Sequence, residues 1–166
     1  VPDNNFEQAL IDLGYDTALD DFVLTASISS VTFLNLINKS ISDLTGIEDF
    51  TALTELHVYY NQLTTLDVST NTALTYLNCE SNLLTSLDVS SNTALTYLGF
   101  HNNQLTSMDV SNNTALTALS SHNNQLTTLD VSANTALTAL KCYGNELTYL
   151  NMKNGVTDGL TTFDAT

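Results

Sequence analysis

The amino-acid sequence predicts a mainly β solenoid of parallel strands, with two short strands per coil and a small N-terminal helical cap. Three observations carry this. A 21-residue unit recurs without gap or insertion, opened by Leu53, Leu74, Leu95, Leu116 and Leu137. Each unit holds a weaker echo of itself, since Leu63-x-x-Leu66-x-Val68-x-x-Asn71 repeats the spacing of Leu53-x-x-Leu56-x-Val58-x-x-Asn61. The first 30 residues lack the period and carry helical spacing instead. A fixed short period means stacked units, each burying its apolar side on its neighbours.

Residues 1–30 read as the cap. Asn4 and Glu7 fit a capping box, and Phe6, Leu10, Ile11 and Leu13 follow at helical spacing with Gly14 as a stop, so a helix is expected over about residues 4–13. Its expected role is to cover the open end of the solenoid core. The acidic segment Asp16 to Asp21 is read as a loop. Residues 31–52 form a variant first repeat built on Val31, Leu34, Leu36, Ile41, Leu44, Ile47 and Phe50. Residues 53–152 hold five 21-residue repeats. Both halves of each repeat alternate apolar and polar residues, and neither has room for a helix of ordinary length. Residues 153–166 lose the period, although Leu160, Phe163 and Ala165 keep the spacing of an irregular half-repeat. An uncapped coil end invites association, so the natural protein is expected to continue beyond Thr166.

Bulk composition narrows the function classes. Eighteen acids stand against Lys39, Lys141 and Lys153, giving a net charge of -15 with no arginine. Such a surface repels phosphate backbones and anionic lipid, so nucleic-acid binding is not expected. No apolar run approaches the roughly 20 residues of a spanning helix, so membrane insertion is not expected either. The chain opens on Val1 rather than Met, consistent with removal of an export signal. Cys79 and Cys142 lie three repeats apart, roughly 14 Å at about 4.8 Å per stacked strand, too far for a disulfide. They are expected as buried free thiols.

The candidate site is the outward face of the first strands. Its three columns read Glu55, Tyr76, Tyr97, Ala118, Ala139; then His57, Asn78, Gly99, Ser120, Lys141; then Tyr59, Glu80, His101, His122, Tyr143. These columns vary while the framework does not, as on a recognition surface. All three histidines and four of the seven tyrosines fall here. Tyrosine supplies flat amphipathic contact at low entropic cost. The ligand-binding candidates are Glu55, His57, Tyr59, Tyr76, Asn78, Glu80, Tyr97, His101, His122, Lys141 and Tyr143. The alternative is that outward aromatics are merely good strand formers. His101 and His122, with Glu80 beside them, could share one zinc ion, but no fourth ligand is evident, and no metal site or cofactor is assigned. No nucleophile is paired with a base, so the chain is read as non-enzymatic. The column Asp67, Asp88, Asp109 and Asp130 is expected to form Asx-turns, with calcium bridging as the alternative. Two asparagine columns, Asn61/82/103/124/145 and Asn71/92/113/134, are expected to satisfy turn backbone.

The motif Leu-x-x-Leu-x-Cys-x-x-Asn-x-Leu-Thr-x-Leu-Asp-Val-Ser-x-Asn-Thr-Ala, complete in Leu74 to Ala94, resembles bacterial leucine-rich repeats of the nested 21-residue type. It is similar to the internalin J type, whose cysteines stack as a ladder at the position of Cys79 and Cys142. It is also similar to secreted Bacteroidetes leucine-rich repeat proteins, which share Pro2, Asp3, Asn5, Phe6 and text like Leu44 to Phe50. Val58, Phe100 and Ser121 interrupt the ladder here, and the calcium loop that some relatives carry near the cap is not carried over, because Asp16 to Asp21 lacks its Asp-Gly core. The resemblance implies a secreted or bacterial cell-surface binding module, often an adhesin; the expected ligand is a protein or carbohydrate on a host or environmental surface, and a monomer is favoured with the oligomeric state left open. The alternative is a structural spacer, or a targeting region for a C-terminal domain.

Overall fold

A computed structural model describes residues 1–155 and 162–164. Two helices lead the chain, α1 (Asn4–Asp12) and α2 (Thr25–Ile28). Seven strands of the first half-turns follow one another in a single parallel sheet: β1 (Phe33–Asn35), β2 (Glu55–His57), β3 (Tyr76–Asn78), β4 (Tyr97–Gly99), β5 (Ala118–Ser120), β7 (Ala139–Lys141) and β9 (Thr162–Asp164). Register is fixed by the repeat, with Leu34, Leu56, Leu77, Leu98, Leu119 and Leu140 aligned in one row. These central leucines are at most 1 % exposed, and so are the opening leucines 53, 74, 95, 116 and 137. The core is therefore a set of vertical columns, each residue packed on its counterpart one coil away.

The second half-turns are less regular. Among the described residues, the second strand expected in every coil forms only as β6 (Thr128–Asp130) and β8 (Tyr149–Asn151), and earlier coils keep a single bridge between Asp67 and Asp88. The opening of the next repeat is a tight turn, as in Asn71 N to Val68 O and Leu74 N to Asn71 O. Three residues after the first strands β1, β2, β3, β4, β5 and β7 comes a left-handed residue, respectively Asn38, Tyr60, Ser81, Asn102, Asn123 and Gly144, with φ between 52° and 63°. Asn and Gly accept that backbone readily, whereas Tyr60 and Ser81 adopt it at some steric cost.

Asparagine holds the turns, as expected. Asn82 Nδ2 donates to the carbonyls of Val58 (3.0 Å) and Cys79 (3.0 Å), and its Oδ1 accepts from Leu63 N–H (3.0 Å). Asn61, Asn103, Asn124 and Asn145 repeat the arrangement. The second column, Asn71, Asn92, Asn113 and Asn134, donates to two carbonyls each while its Oδ1 atoms are buried without a protein partner. Threonine hydroxyls form a third ladder: Thr75 Oγ1 donates to Thr54 O, Thr96 to Thr75 and Thr117 to Thr96. The aspartate column forms the expected Asx-turns, with Asp67 accepting from Ser69 N–H and Asp88 from Ser90 N–H. Those serine hydrogen bonds hold the carboxyls below their ordinary range.

Helix α1 starts as expected, but its cap differs. The N-cap is Asp3, whose Oδ1 accepts from Asn5 N–H (2.9 Å) and Phe6 N–H (3.0 Å). Its Oδ2 accepts from Ser42 N–H, Ser42 Oγ–H and Asp43 N–H, tying the helix to the first coil. Burial opposes ionisation of Asp3, but these bonds together outweigh it and lower the pKa. Glu7 is not a capping-box partner: it is fully buried and turned toward the loop after α1. Phe6 closes the end of the core against Phe50, ring centroids 6.4 Å apart. Cys79 and Cys142 are buried free thiols, as spacing required. Burial pushes Cys79 up to about 12 and Cys142 to about 11. The expected terminal half-repeat lies mostly outside the described residues; the backbone of 162–164 pairs with β7.

Candidate functional site

Because the strands are in register, outward residues 21 positions apart stand one above another. This turns isolated aromatic positions into two piles of rings. In the first, His57 stacks on Tyr76 (centroids 4.7 Å, planes 23° apart) and Tyr76 on Tyr97 (4.3 Å, 7°). Phe33 leans on His57 at 5.3 Å, extending the pile into the first coil. In the second, His101 stacks on His122 (4.1 Å, 17°) and His122 on Tyr143 (4.5 Å, 23°). Tyr59 sits edge-on to both His57 and Tyr60.

Gly99 makes room for the first pile. A Cβ there would meet Tyr97 Oη at 2.8 Å and Asn78 Oδ1 at 3.0 Å, so the Tyr97 side chain lies across the glycine backbone. Sequence reading placed Gly99 in a column but gave it no role. Burial pushes the Tyr76 hydroxyl up to about 12, and Tyr97 is raised for the same reason.

Glu80 terminates the second pile. His101 Nε2 lies 2.8 Å from Glu80 Oε2, and Asn78 positions that carboxylate through Nδ2 to Oε2 (3.3 Å) and by accepting the Glu80 N–H (3.2 Å). A carboxylate this close favours the imidazolium. Burial of the ring and the Lys141 charge outweigh it, and His101 titrates below its ordinary value. His122 is depressed further, to about 4, by burial, by stacked His101 and by Lys141. Both rings are therefore neutral at physiological pH, and His101 Nε2–H donates to Glu80. The Nδ1 of His101, buried without a partner, is then an acceptor rather than a stranded donor.

The expected site residues do not form one equally open strip. Tyr59, Tyr76, Tyr97, His57, Glu80, His101 and Tyr143 are partly exposed, and Glu55 and Lys141 are open. Asn78 and His122, expected as ligand contacts, are only 7 % and 8 % exposed. Stacking from both sides covers His122, and Asn78 is spent on Glu80. The zinc arrangement weighed for His101, His122 and Glu80 is also altered by stacking. With planes 17° apart, the in-plane lone pairs of the two imidazoles run side by side and do not converge.

Leucine columns inside, asparagine ladders at the turns and a variable outward sheet face define a leucine-rich repeat solenoid similar to the internalin-like proteins of bacteria. The chain is 45 % identical over 70 residues to internalin J of Listeria monocytogenes serotype 4b (strain F2365), a match covering 42 % of this chain and 8 % of that protein. The solved functional domain of that species' InlJ, described as including a cysteine ladder, superposes with a TM-score of 0.77 at 37 % identity, covering 99 % of this chain and 41 % of the other. A leucine-rich repeat protein of Leptospira interrogans matches with a TM-score of 0.65 at 27 % identity, over 71 % of this chain and 32 % of that one. The LRIM1/APL1C complex matches with a TM-score of 0.69 at 27 % identity, over 76 % and 26 %. The chain thus spans less than half the length of each of these relatives. A family model described as LVIVD repeat matches residues 85–124. The ladder column here reads Val58, Cys79, Phe100, Ser121 and Cys142, all buried, with Ser121 Oγ donating to Lys141 O. Among the described residues no helix is long and apolar enough to cross a membrane.

Proposed function

We propose that this chain is a non-enzymatic recognition module that binds a protein partner through the outward face of the first-strand sheet. One observation carries the choice of protein over carbohydrate. Tyr76 is stacked on both faces, by His57 and Tyr97, and His122 on both faces, by His101 and Tyr143, while Tyr97 and His101 each give one face to a pile, so most of the strip's ring faces are taken up within it. Sugar binding on aromatics uses open ring faces, whereas protein interfaces use tyrosine edges and hydroxyls with the stem packed. The Glu80–His101 pair resembles an oriented base, but the ring is held by His122 and not by a nucleophile. Internalin-like relatives support a secreted or surface-attached role and binding through the repeat domain. A spacer that only displays another domain is the competing reading.

The test uses the full chain, immobilised, against mucin, deglycosylated mucin, fibronectin and collagen, with a glycan array in parallel. Variants are Tyr76→Ala/Tyr97→Ala and, as a control on exposed residues of the second half-turns, Ser90→Ala/Asn112→Ala. Circular dichroism confirms that each is folded. The expected result is binding to at least one protein probe that survives deglycosylation, falls at least about tenfold in the tyrosine variant and is unchanged in the control. Binding to glycans alone, equal binding by both variants, or no binding at all overturns the proposal.

A further inference from the structure

Two stacked imidazoles sit on the outward face with no framework rule behind them. Their column reads Tyr59, Glu80, His101, His122 and Tyr143, so the repeat asks for no particular residue there. Yet His101 and His122 lie face to face with centroids 4.1 Å apart, and Tyr143 closes the other face of His122 at 4.5 Å. The Nδ1 atoms of both rings are buried without a hydrogen-bond partner. In an imidazolium both nitrogens carry hydrogen. A proton on either ring therefore creates a buried, charged N–H with nothing to donate to, which is costly.

The charges facing the pile come from several coils. Glu80 lies 2.8 Å from His101 Nε2 and offsets a charge on that ring most directly, and on His122 at longer range. Lys141 on β7 opposes a proton on either ring, and Asp164 on β9 favours one on His122. Burial, the neighbouring His101 and Lys141 together outweigh the two carboxylates at His122. The first pile lacks this conflict. Its one imidazole, His57, has Phe33, Tyr59 and Tyr76 as ring neighbours and Glu55 3.8 Å from its Nε2.

We propose that the His101–His122–Tyr143 pile is an acid-operated clasp on the recognition face, closed while both imidazoles are neutral and opened when the pair takes up a proton. Opening is a change of side-chain rotamers, because the backbone beneath is pinned. Ser81 N–H donates to His101 O (2.9 Å), Asn102 N–H to His122 O (3.1 Å) and Asn123 N–H to Tyr143 O (2.9 Å). By linkage, a ring that titrates near 4 in the closed pile and at the ordinary 6.5 in the open one takes up its proton first in the open form. The closed form keeps its full advantage above about 6.5 and gives way as pH falls toward 4, the opening equilibrium shifting by up to about 300-fold. Opening carries the His122 edge and the Tyr143 ring away from where a partner meets them at neutral pH. That effect on binding rests on the protein-recognition reading above; the opening itself does not.

The test is an NMR titration of the full chain, isotope-labelled in its histidine and tyrosine rings, from about pH 7.5 to about pH 4, with circular dichroism at each step. The Tyr143 signals, displaced by stacking at neutral pH, should move to unstacked positions below about pH 6 together with those of His101 and His122. The Tyr76–Tyr97 pair should keep its shifts and the dichroism should not change. His101→Phe/His122→Phe retains flat rings but takes up no proton, so Tyr143 should lose its pH dependence. Lys141→Met removes a charge that opposes protonation and should raise the midpoint. If the double variant fails to fold, Lys141→Met alone decides. A Tyr143 signal constant down to about pH 4, an equal response in the double variant, a midpoint not raised in Lys141→Met, or movement only with loss of the dichroism overturns the proposal. In parallel, whichever of immobilised mucin, fibronectin or collagen binds at neutral pH is tested again at about pH 4.5. Its affinity should fall at least about fivefold more in the wild type than in the double variant, and equal falls overturn the link to recognition. Failure of every probe to bind counts against the recognition reading alone, and the ring titration still decides the clasp.

Discussion

Two buried asparagines that look alike in the repeat should differ sharply when truncated. Asn103 Nδ2 donates to Phe100 O (2.9 Å) and Cys79 O (3.1 Å), with a longer contact to His101 O (3.3 Å), while Oδ1 accepts from the Leu84 N–H at 2.9 Å. Asn103→Ala removes two principal donations, worth about 0.5–1.5 kcal/mol each, and strands a buried amide of the neighbouring coil at about 1–3 kcal/mol. The sum is about 4 kcal/mol. Asn92 donates to Val68 O (2.9 Å) and Asn71 O (3.0 Å), but its Oδ1 already lacks a protein partner. Asn92→Ala loses the same two donations and strands no amide. It also removes an unpaired buried oxygen, so the net cost is about 1 kcal/mol. Urea denaturation followed by circular dichroism should therefore place Asn103→Ala about 2–3 kcal/mol below Asn92→Ala. By scanning fluorimetry the two should differ by several degrees, at about 2–4 °C per kcal/mol for a chain of this size. Equal destabilisation, or a larger loss for Asn92→Ala, would show that the acceptor role of the first column does not matter and would refute the reasoning.

Three further outcomes are expected. Gly99→Ala should push Tyr97 off Tyr76, because its Cβ would lie 2.8 Å from Tyr97 Oη; NMR should show loss of the ring-current shifts of the pair and a cost of about 0.5–1.5 kcal/mol, and unchanged tyrosine shifts would contradict this. His122 titrates near 4 in the folded chain against 6.5 ordinarily, so between these values the unfolded state binds more protons. Stability should thus fall as pH drops from about 6.5 to 4, by on the order of 2 kcal/mol, and be unaffected by this ring above 6.5; a pH–Tm profile that keeps its full slope in His122→Phe would remove the assignment. Cys79 and Cys142, buried with raised pKa values of about 12 and about 11, should resist a thiol reagent at pH 8 until the chain unfolds. Rapid labelling of the native protein would show that the ladder column is open.

What was legible in the sequence was whatever the period repeats. Leucine spacing marked the buried columns, and the asparagine and Asp-Val-Ser positions marked the turns, because a solenoid applies the same local demand every coil. The 21-residue count also fixed which residues share a column, since parallel strands in register align equal repeat positions. The helix was visible, but its cap was misplaced by one residue. Asp3 and Asn4 are both good N-caps, and only the packing of Asp3 against Ser42 and Asp43 from the first coil selects between them.

Side-chain direction was not legible. A column says that Tyr76 and Tyr97 are neighbours; it does not say that Tyr97 lies over Gly99, that His57 crosses from another column to reach Tyr76, or that His122 is covered on both faces. Nor could spacing gather Glu7, Asp16 and Asp20, which come from a helix and a loop with no repeat to align them. By itself, then, the sequence determined the solenoid, its core and the strip of variable positions, because those follow from local periodicity and burial. The tertiary structure alone decided which outward groups are open, which are consumed by stacking, and which acids meet in the cap, because these depend on rotamers and long-range contacts that no periodic pattern encodes.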